Sequence, residues 1–444
     1  MNAEVTTIKT AAETALAQAY AQARGQLPGD DAMMAQREAA FDLFAKEGLP
    51  HRRVEEWKYT DLRALMREAK PLATPPDAAA KARAKTAAAL LGDVETRRLV
   101  FVDGAFVAEL SDLTNLEKGL TVGSLAEALS VNDRALALHL GKLAPGSDVA
   151  VALNTALMGD GAVIRIAAGS TIERPLHLLF VASAKPAATF VRSLVVVERG
   201  CRAMIVESHE GPPGSDYQVN AALELFVGDE AHVDHVKLIG EGGDALHVST
   251  LAAAIGTRAR FNSFTFTVGG AVVRNQLFLR FDGEGTVASI RGATLLKGRQ
   301  HADTTLVADH IARDCQSREV FKAVLDDDAH GVFQGRIIVR RHAQKTDAKM
   351  ITQALLLSER AEADNKPELE IFADDVQCGH GATSGALDDA LKFYLMARGI
   401  PAAEAEALLI QAFLGEAIEG IEHAGLREAL MESVVAWLKA RGGA

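Results

Sequence analysis

Short runs of alternating apolar and polar residues fill the central part of the chain, which is the pattern of β-strands. Runs such as VIRIAA, PLHLLFVA, SLVVVE and FNSFTFTV follow one another between residues 151 and 383. Within them Gly200, Gly228, Gly256 and Gly285 recur at intervals of 28, 28 and 29 residues. A turn glycine at a fixed period is typical of stacked β units, because every coil must bend at a matching place. The pattern therefore favours a mainly β solenoid over a sandwich.

Both ends of the chain have the composition of helices. From the start to about residue 90 the sequence is rich in Ala, Glu, Gln, Lys and Arg, and TPPDAAAKARAKTAAA (74–89) indicates a linker or a surface helix. Near the other end, Ser384 is a candidate helix N-cap and Pro401 is suited to open the next helix. The last helix carries an apolar stripe that predicts either core packing or a face for a partner: Leu426, Leu430, Val434, Val435 and Leu438.

Three regions are therefore expected along the chain. Residues 1–150 are predicted to be a mostly helical N-terminal region with a linker, residues 151–383 the β core, and residues 384–444 a C-terminal helical region. This division places every strand-like run in the middle of the chain and every helix-spaced apolar pattern at its ends.

The charge balance argues against two classes of partner. There are 47 Lys and Arg against 59 Asp and Glu, a net charge of −12, which disfavours nucleic acid and anionic membranes as main partners. The first residues lack the basic and apolar segments of a secretory signal, and no apolar run is long enough to span a bilayer. We expect a cytoplasmic protein with no membrane span and reduced thiols.

The stretch DDVQCGHGAT (374–383) contains the most promising chemistry. In a strand, Cys378 and His380 would share one face with Asp374. A thiolate, an imidazole and a carboxylate all ligate iron or zinc, but an iron-sulfur cluster usually takes four thiolates, and the 3 cysteines of this chain are far apart. Spacing alone favours a structural pair; the alternative is a site completed from elsewhere in the fold or from another chain.

Two other groups of residues are predicted to be structural. Cys201 and Cys315 lie within strand-like runs and are expected in the core. Asp326, Asp327 and Asp328 would suit a β-helical carbohydrate-active enzyme only if they converged in a cleft, and a solvated turn is favoured instead.

Aromatic and histidine residues outside this stretch also favour structural roles. Trp57 and Tyr59 are predicted to anchor the N-terminal helices, and His301 and His310 to be structural or interface residues. The sequence has no P-loop and no complete dinucleotide fingerprint, which argues against ATP hydrolysis and NAD binding.

One long segment resembles a known family. Residues 365–400, NKPELEIFADDVQCGHGATSGALDDALKFYLMARGI, closely resemble the signature of the SufB/SufD family, the non-ATPase scaffold subunits of the SUF iron-sulfur cluster assembly machinery. RVEEWKYTDLR (53–63), ALNTALMGDGAVIRI (152–166) and AQKTDAKMITQALLLSERAEAD (343–364) also resemble segments of that family. The chain lacks the close-spaced cysteine cluster of the SufB side, so the SufD side is the better match.

The resemblance implies a fold and a function. The fold would be a right-handed parallel β-helix core flanked by N-terminal and C-terminal α-helical regions. The function would be that of a scaffold without catalytic activity. It would pair with a SufB-type subunit through the β-helix edges and bind a SufC-type ATPase through its C-terminal helices. A β-solenoid interaction module without a metal role stays open as an alternative, and so does a homodimer.

The resemblance also implies roles for two residues. Cys378 and His380 would lie at the interface of the two scaffolds, where a nascent cluster is assembled. His380 is the expected metal ligand, and the partner would supply the key thiolate. The iron-sulfur cluster would be transient and shared with the partner, with none bound tightly to the isolated chain.

Overall fold

The computed structural model describes residues 9–87 and 89–441 and consists of a β-solenoid with helices toward both ends of the chain. The helices are α1 Ala11–Ala23, α2 Asp31–Glu47, α3 Leu62–Leu65, α4 Ala78–Ala84, α5 Leu125–Ser130, α6 Arg134–Ala137, α7 Val149–Leu157, α8 Asp389–Met396, α9 Ala402–Ile418 and α10 Ala424–Arg441. The strands are β1 Arg97–Val102, β2 Ala105–Phe106, β3 Leu120–Ser124, β4 Ala162–Ile166, β5 Leu176–Val181, β6 Ala188–Val197, β7 Arg202–Glu210, β8 Gln218–Val227, β9 His232–Gly240, β10 Leu246–Ile255, β11 Arg260–Thr267, β12 Val272–Phe281, β13 Val287–Leu296, β14 His301–His310, β15 Gln316–Leu325, β16 His330–Val339, β17 Asp347–Leu356, β18 Glu362–Ile371 and β19 Gln377–Gly385.

Each coil of the solenoid gives one strand to each of two sheets. The odd-numbered strands from β5 to β19, together with β1 and β2, form a ten-stranded sheet. The even-numbered strands from β4 to β18, together with β3, form a nine-stranded sheet. Neighbouring strands pair in parallel, so that equivalent positions stack from coil to coil, as do the buried Leu223, Leu251, Leu277 and Leu306. These columns fill the space between the two sheets. The predicted mainly β solenoid with helical flanks is confirmed.

The periodic glycines all lie at one corner of the coil, and glycine is favoured there for two different reasons. Gly200 and Gly285 have φ of +68° and +69°, the left-handed region that favours glycine. Gly228 and Gly256 do not have positive φ; a Cβ on Gly228 would lie 2.7 Å from a backbone atom of the preceding coil, and one on Gly256 only 2.8 Å from the Asp229 amide nitrogen. The left-handed position is taken two residues later in those coils, for example by Glu230 at +59°.

The two ends of the solenoid differ. At the N-terminal end each sheet ends in a short antiparallel strand: β2 pairs with β1, and β3 pairs with β4. Strands β1, β2 and β3 fall within the region expected to be mostly helical; the run RRLVFV is apolar enough to be buried as β1. At the C-terminal end, β18 and β19 are the last strands of their sheets and leave one edge unpaired. Unpaired edges of this kind are available for pairing with another chain.

Helices cover the outer faces of both sheets. α7 packs on β6 and β8, and α2 packs on α7. α9 packs on β13 and β15, and α10 lies against α9. The predicted apolar stripe of the last helix is core, because Leu426, Leu430 and Val434 are fully buried. Ser384 is not a helix cap, since it still belongs to β19 and Asp388 caps α8. No helix among the described residues is long and apolar enough to cross a membrane.

Candidate functional site

The structure places Cys378 and His380 on the edge strand β19 at the open end of the solenoid. Cys378 lies opposite Ala348 of β17, and His380 lies opposite Met350. Because Ala348 and Met350 are buried in the core, the two site residues continue inward-facing columns. Cys378 is half-buried and packs against the core, whereas His380 is exposed. The two side chains therefore share one face, as predicted, at the rim of the interior.

The surroundings of Cys378 hold its thiol protonated. Burial raises the pKa of the Cys378 thiol above its ordinary value, and the charges of Asp347 and Glu319 raise it further. A thiol becomes a good metal ligand when it loses its proton, and a nearby cation or metal promotes that loss. Cys378 therefore needs help from outside the described chain to act as a thiolate.

A buried carboxyl group lies two strands inward from the site. Glu319 of β15 stacks on Met350, which in turn stacks on His380. Burial raises the pKa of Glu319 to about 7. Glu319 was not among the predicted site residues. It lies two positions from the buried Ser317 and two from the buried Phe321 on the same strand, and this alternation is the signal that could have placed it on the interior face.

The predicted alternation does not extend to Asp374. β19 begins only at Gln377, and Asp374 lies in the bend before it with an exposed side chain. The carboxylate is thus not part of the inward-facing column that Cys378 and His380 continue.

The other two cysteines are buried, as predicted. Cys201 and Cys315 belong to the core between the sheets, and their sulfur atoms lie 3.1 Å from the Ala167 carbonyl oxygen and 3.3 Å from the Gly283 carbonyl oxygen. All three cysteines are free thiols. Cys378 alone is even partly exposed, so it is the cysteine that a partner can reach.

The three consecutive aspartates form a turn. Asp327 has a left-handed φ of +54°, and its carboxylate accepts a hydrogen bond from the Gly298 amide at 2.9 Å. Asp326 pairs with Arg441, and Asp328 pairs with Arg360. Three carboxylates with three different partners do not converge as a catalytic pair would.

Trp57 anchors the N-terminal segment to the outer face of the nine-stranded sheet. Its side chain is buried, its Nε1 donates to Asp148 at 3.1 Å, and the Arg274 guanidinium stacks over its ring at 4.6 Å. Tyr59 is only half-buried. A cavity of about 520 Å³ lies beside this anchor, lined among others by Trp57, Arg336 and Lys366; sequence analysis did not identify it, because its lining residues are remote from one another in the chain.

The two histidines of β14 have structural roles and point to opposite faces. His301 Nε2 lies 2.9 Å from Thr60 Oγ1 on the outer face, where it helps to hold the N-terminal segment. His310 is buried in the interior, stacked on Phe281 with ring centroids 4.0 Å apart, and its Nε2 lies 3.1 Å from Ser317 Oγ. Both contacts agree with the structural interpretation.

α8 carries apolar side chains that the described chain leaves uncovered. Phe393 is 71% exposed and Tyr394 is 53% exposed, and no residue of this helix is buried. Leu391 and Met396 are exposed as well. A cluster of exposed large apolar residues commonly marks an interaction surface.

Together the fold and the site define a class: a β-solenoid protein with a thiol and an imidazole on the edge strand of its last coil. Comparison with protein families matches residues 180–413 to the core domain of SufBD proteins of SUF-system FeS cluster assembly, and residues 10–178 to the SufBD protein N-terminal region. The chain belongs to the SufBD family.

Individual relatives agree with this assignment. An iron-sulfur cluster assembly SufBD family protein of Synechocystis is 34% identical over 91% of both chains. The iron-sulfur cluster assembly protein SufD of Escherichia coli is 31% identical over 88% of this chain and 89% of its own, and SufD of Bacillus subtilis is 27% identical over 64% and 65%. The predicted resemblance to the SufD side is confirmed, and the chain has a role in the SUF system.

Proposed function

We propose that this chain is a non-catalytic scaffold subunit that pairs with a SufB-type scaffold and a SufC-type ATPase to build and transfer nascent iron-sulfur clusters. The observation that carries the proposal is the position of Cys378 and His380 on an unpaired edge strand. Such an edge offers two potential ligands and a surface for pairing at the same place. Family membership supports the assembly role.

The C-terminal end is the natural surface for the second scaffold. Both sheets end there with a long parallel edge strand, of 10 residues in β18 and 9 in β19, whereas at the other end they finish in antiparallel strands of 2 and 5 residues. Apolar side chains near this end remain exposed: Ile351 by 39%, Ile371 by 41% and Phe372 by 58%. A partner that extends the two sheets would satisfy the edge amides and carbonyls and bury these side chains.

The division of ligands between the subunits follows from the local chemistry. A neutral imidazole can ligate iron directly, and His380 is exposed at the rim. The Cys378 thiol has a raised pKa and contributes only once a metal or a positive charge from the partner is near. The cluster is the cargo of the complex, and the partner supplies the key thiolate.

The C-terminal helices are proposed to bind the ATPase. α9 and α10 bury most of their apolar residues in one cluster with the ten-stranded sheet. Apart from Leu408 of α9, the exposed large apolar residues of this region lie on α8. Phe393 and Tyr394 are its most exposed large residues. Burial of such aromatic side chains is a common source of binding free energy at interfaces.

Cluster content tests the role of the rim. The chain is co-expressed with SufB-type and SufC-type proteins and purified anaerobically, and iron and sulfide are measured per complex. We expect His380→Ala to lower both while the complex still forms, whereas His342→Ala, an exposed histidine on a nearby turn, leaves them unchanged. Normal cluster content in the His380 variant would remove this residue from the site. Failure of the chain to co-purify with the SufB-type and SufC-type proteins would defeat the scaffold assignment. The molecular mass of the isolated chain in solution shows whether the edge pairs with a second copy.

Separate substitutions test the two interaction surfaces. We expect Phe393→Glu to abolish co-purification of the ATPase and to leave the scaffold pair intact. Leu138→Glu is the matched control, because Leu138 is 72% exposed near the other end of the chain. Loss of the scaffold pair instead of the ATPase in the Phe393 variant would show that α8 belongs to the other interface.

A further inference from the structure

A cluster of ionisable side chains lies inside the solenoid, far from the open rim. His209 at the end of β7, Glu241 in the turn after β9 and His247 on β10 are all buried, and each offers a ligand atom within 4.8 Å of the other two. Six strand-to-strand steps separate β7 from β19, roughly 29 Å at the usual strand spacing. The cluster is therefore separate from Cys378 and His380.

The hydrogen bonds of the cluster leave two imidazole nitrogens unused. His247 Nδ1 lies 2.8 Å from Glu241 Oε1, so it carries the proton and its Nε2 carries the free lone pair. That Nε2 and the Nε2 of His209 have no hydrogen-bond partner among the described residues. The rings themselves lie close, with centroids 4.7 Å apart. The carboxylate oxygen next to His209 Nε2, Glu207 Oε2, lies 3.9 Å away, which is beyond hydrogen-bond distance. Two buried ring nitrogens without a hydrogen-bond partner are costly unless a ligand bonds them both.

A second layer of contacts holds the carboxylate in position. The Tyr217 hydroxyl donates a hydrogen bond to Glu241 Oε2, and the Gly242 amide donates to the Tyr217 oxygen at 2.9 Å. A histidine bonded through one nitrogen to a carboxylate, with the other nitrogen free, is the arrangement that orients imidazoles in metal sites.

Space and charge beside the cluster suit a small cation. A cavity of about 20 Å³, room for about one water molecule or ion, is lined among others by Phe180, His209 and Glu241. The buried carboxylates of Glu207 and Glu241 share the single ammonium of Lys237, which interacts with both. A divalent ion would therefore meet a local excess of carboxylate charge.

We propose that His209 and His247 bind a divalent transition-metal ion, Zn²⁺ or Fe²⁺, inside the solenoid through their Nε2 atoms, with Glu241 orienting His247. Imidazole nitrogen suits both metals. The two rings, with centroids 4.7 Å apart, are close enough to share one ion after modest side-chain movement. The proposal goes beyond the scaffold role and does not depend on it. It differs from the expectation that the isolated chain holds no tightly bound group.

Cobalt binding to the isolated full chain tests the proposal. The tag-free chain is treated with a chelator and titrated with Co²⁺, whose visible absorption reports a site of low coordination number. We expect one Co²⁺ per chain, displaced by Zn²⁺, and an affinity at least about 100-fold lower in His209→Gln and His247→Gln. Tyr217→Phe, which removes a positioning contact, should lower the affinity about 10- to 100-fold.

The matched control is His310→Gln. His310 is also a buried interior histidine whose second ring nitrogen has no partner among the described residues, but it stands outside the cluster. The His310→Gln variant should bind Co²⁺ with the affinity of the wild type. Absence of Co²⁺ absorption in the wild type, or wild-type affinity in His209→Gln and His247→Gln, would overturn the proposal.

If the His209 and His247 variants fail to fold, X-ray absorption spectroscopy at the zinc edge of the Zn²⁺-loaded wild type tests the site instead. A spectrum with two imidazole ligands would support the site, and a spectrum without imidazole ligands would refute it. Metal analysis of the chain as purified then tells zinc from iron.

Discussion

Replacing Glu319 by glutamine should stabilise the protein at neutral and alkaline pH and have little effect in mild acid. Glu319 is fully buried, and burial raises its pKa from 4.5 to about 7. Between these two values the folded chain keeps a proton that the unfolded chain has lost, so the free energy of unfolding falls as the pH rises through this window. At about 1.4 kcal/mol per unit of pKa, the full effect is about 3 kcal/mol.

Glutamine resembles the protonated carboxyl group in size and cannot lose a proton. The difference in unfolding free energy between Glu319→Gln and wild type should therefore grow from near zero at about pH 4 to about 3 kcal/mol at about pH 8. Urea unfolding followed by far-UV circular dichroism measures it at each pH. Because other titrating groups are common to both chains, their contributions cancel in the difference.

The control variant is Glu362→Gln, which replaces an exposed glutamate on β18. The difference in unfolding free energy between this variant and the wild type should not depend on pH. A pH-independent difference for Glu319→Gln, or a variant that is less stable than wild type at about pH 8, would show that Glu319 is not held protonated by burial.

Two further predictions concern other buried and reactive groups. Glu224→Gln should destabilise the chain by about 3–5 kcal/mol in urea unfolding, because it leaves the buried Arg192 guanidinium unbalanced. Glu230→Gln, which weakens a solvent-exposed ion pair, should cost much less, and equal costs in the two variants would contradict this reasoning. Iodoacetamide should label Cys378 alone among the three cysteines of the folded chain, because the other two are buried. The labelling rate should still rise above pH 9, because the pKa of the Cys378 thiol is raised from 9.0. A labelling rate that levels off below pH 9 would contradict the raised pKa.

The core was predictable because it repeats. The intervals of 28, 28 and 29 residues between Gly200, Gly228, Gly256 and Gly285 reflect a corner that must be built in every coil, so the repeat is visible in the sequence itself. Contacts between remote segments leave no such trace. Thr60 hydrogen-bonds to His301, 241 positions further along, and nothing in either local sequence indicates the other. Strands β1 and β3 were missed for the same reason, since they pair with β5 and β4 further along the chain.

The site was half predictable for a related reason. Strand alternation places Cys378 and His380 on one face, but whether that face points inward depends on the neighbours Ala348 and Met350, which only the register reveals. Asp374 does not join them, because β19 begins only at Gln377 and Asp374 lies exposed in the bend before it.

An incomplete ligand set is what the last coil of a solenoid would be expected to offer. Inside the solenoid an inward-facing side chain has a coil on both sides, whereas on β19 it has one coil on one side and an open edge on the other. Ligands on that strand can therefore be complemented only by whatever pairs with the edge. The same geometry separates the two metal proposals: His209, Glu241 and His247 are enclosed by coils on both sides and can form a complete site within one chain, while Cys378 and His380 depend on a partner. Metal bound by the isolated chain should thus be lost with His209 or His247 and be indifferent to His380.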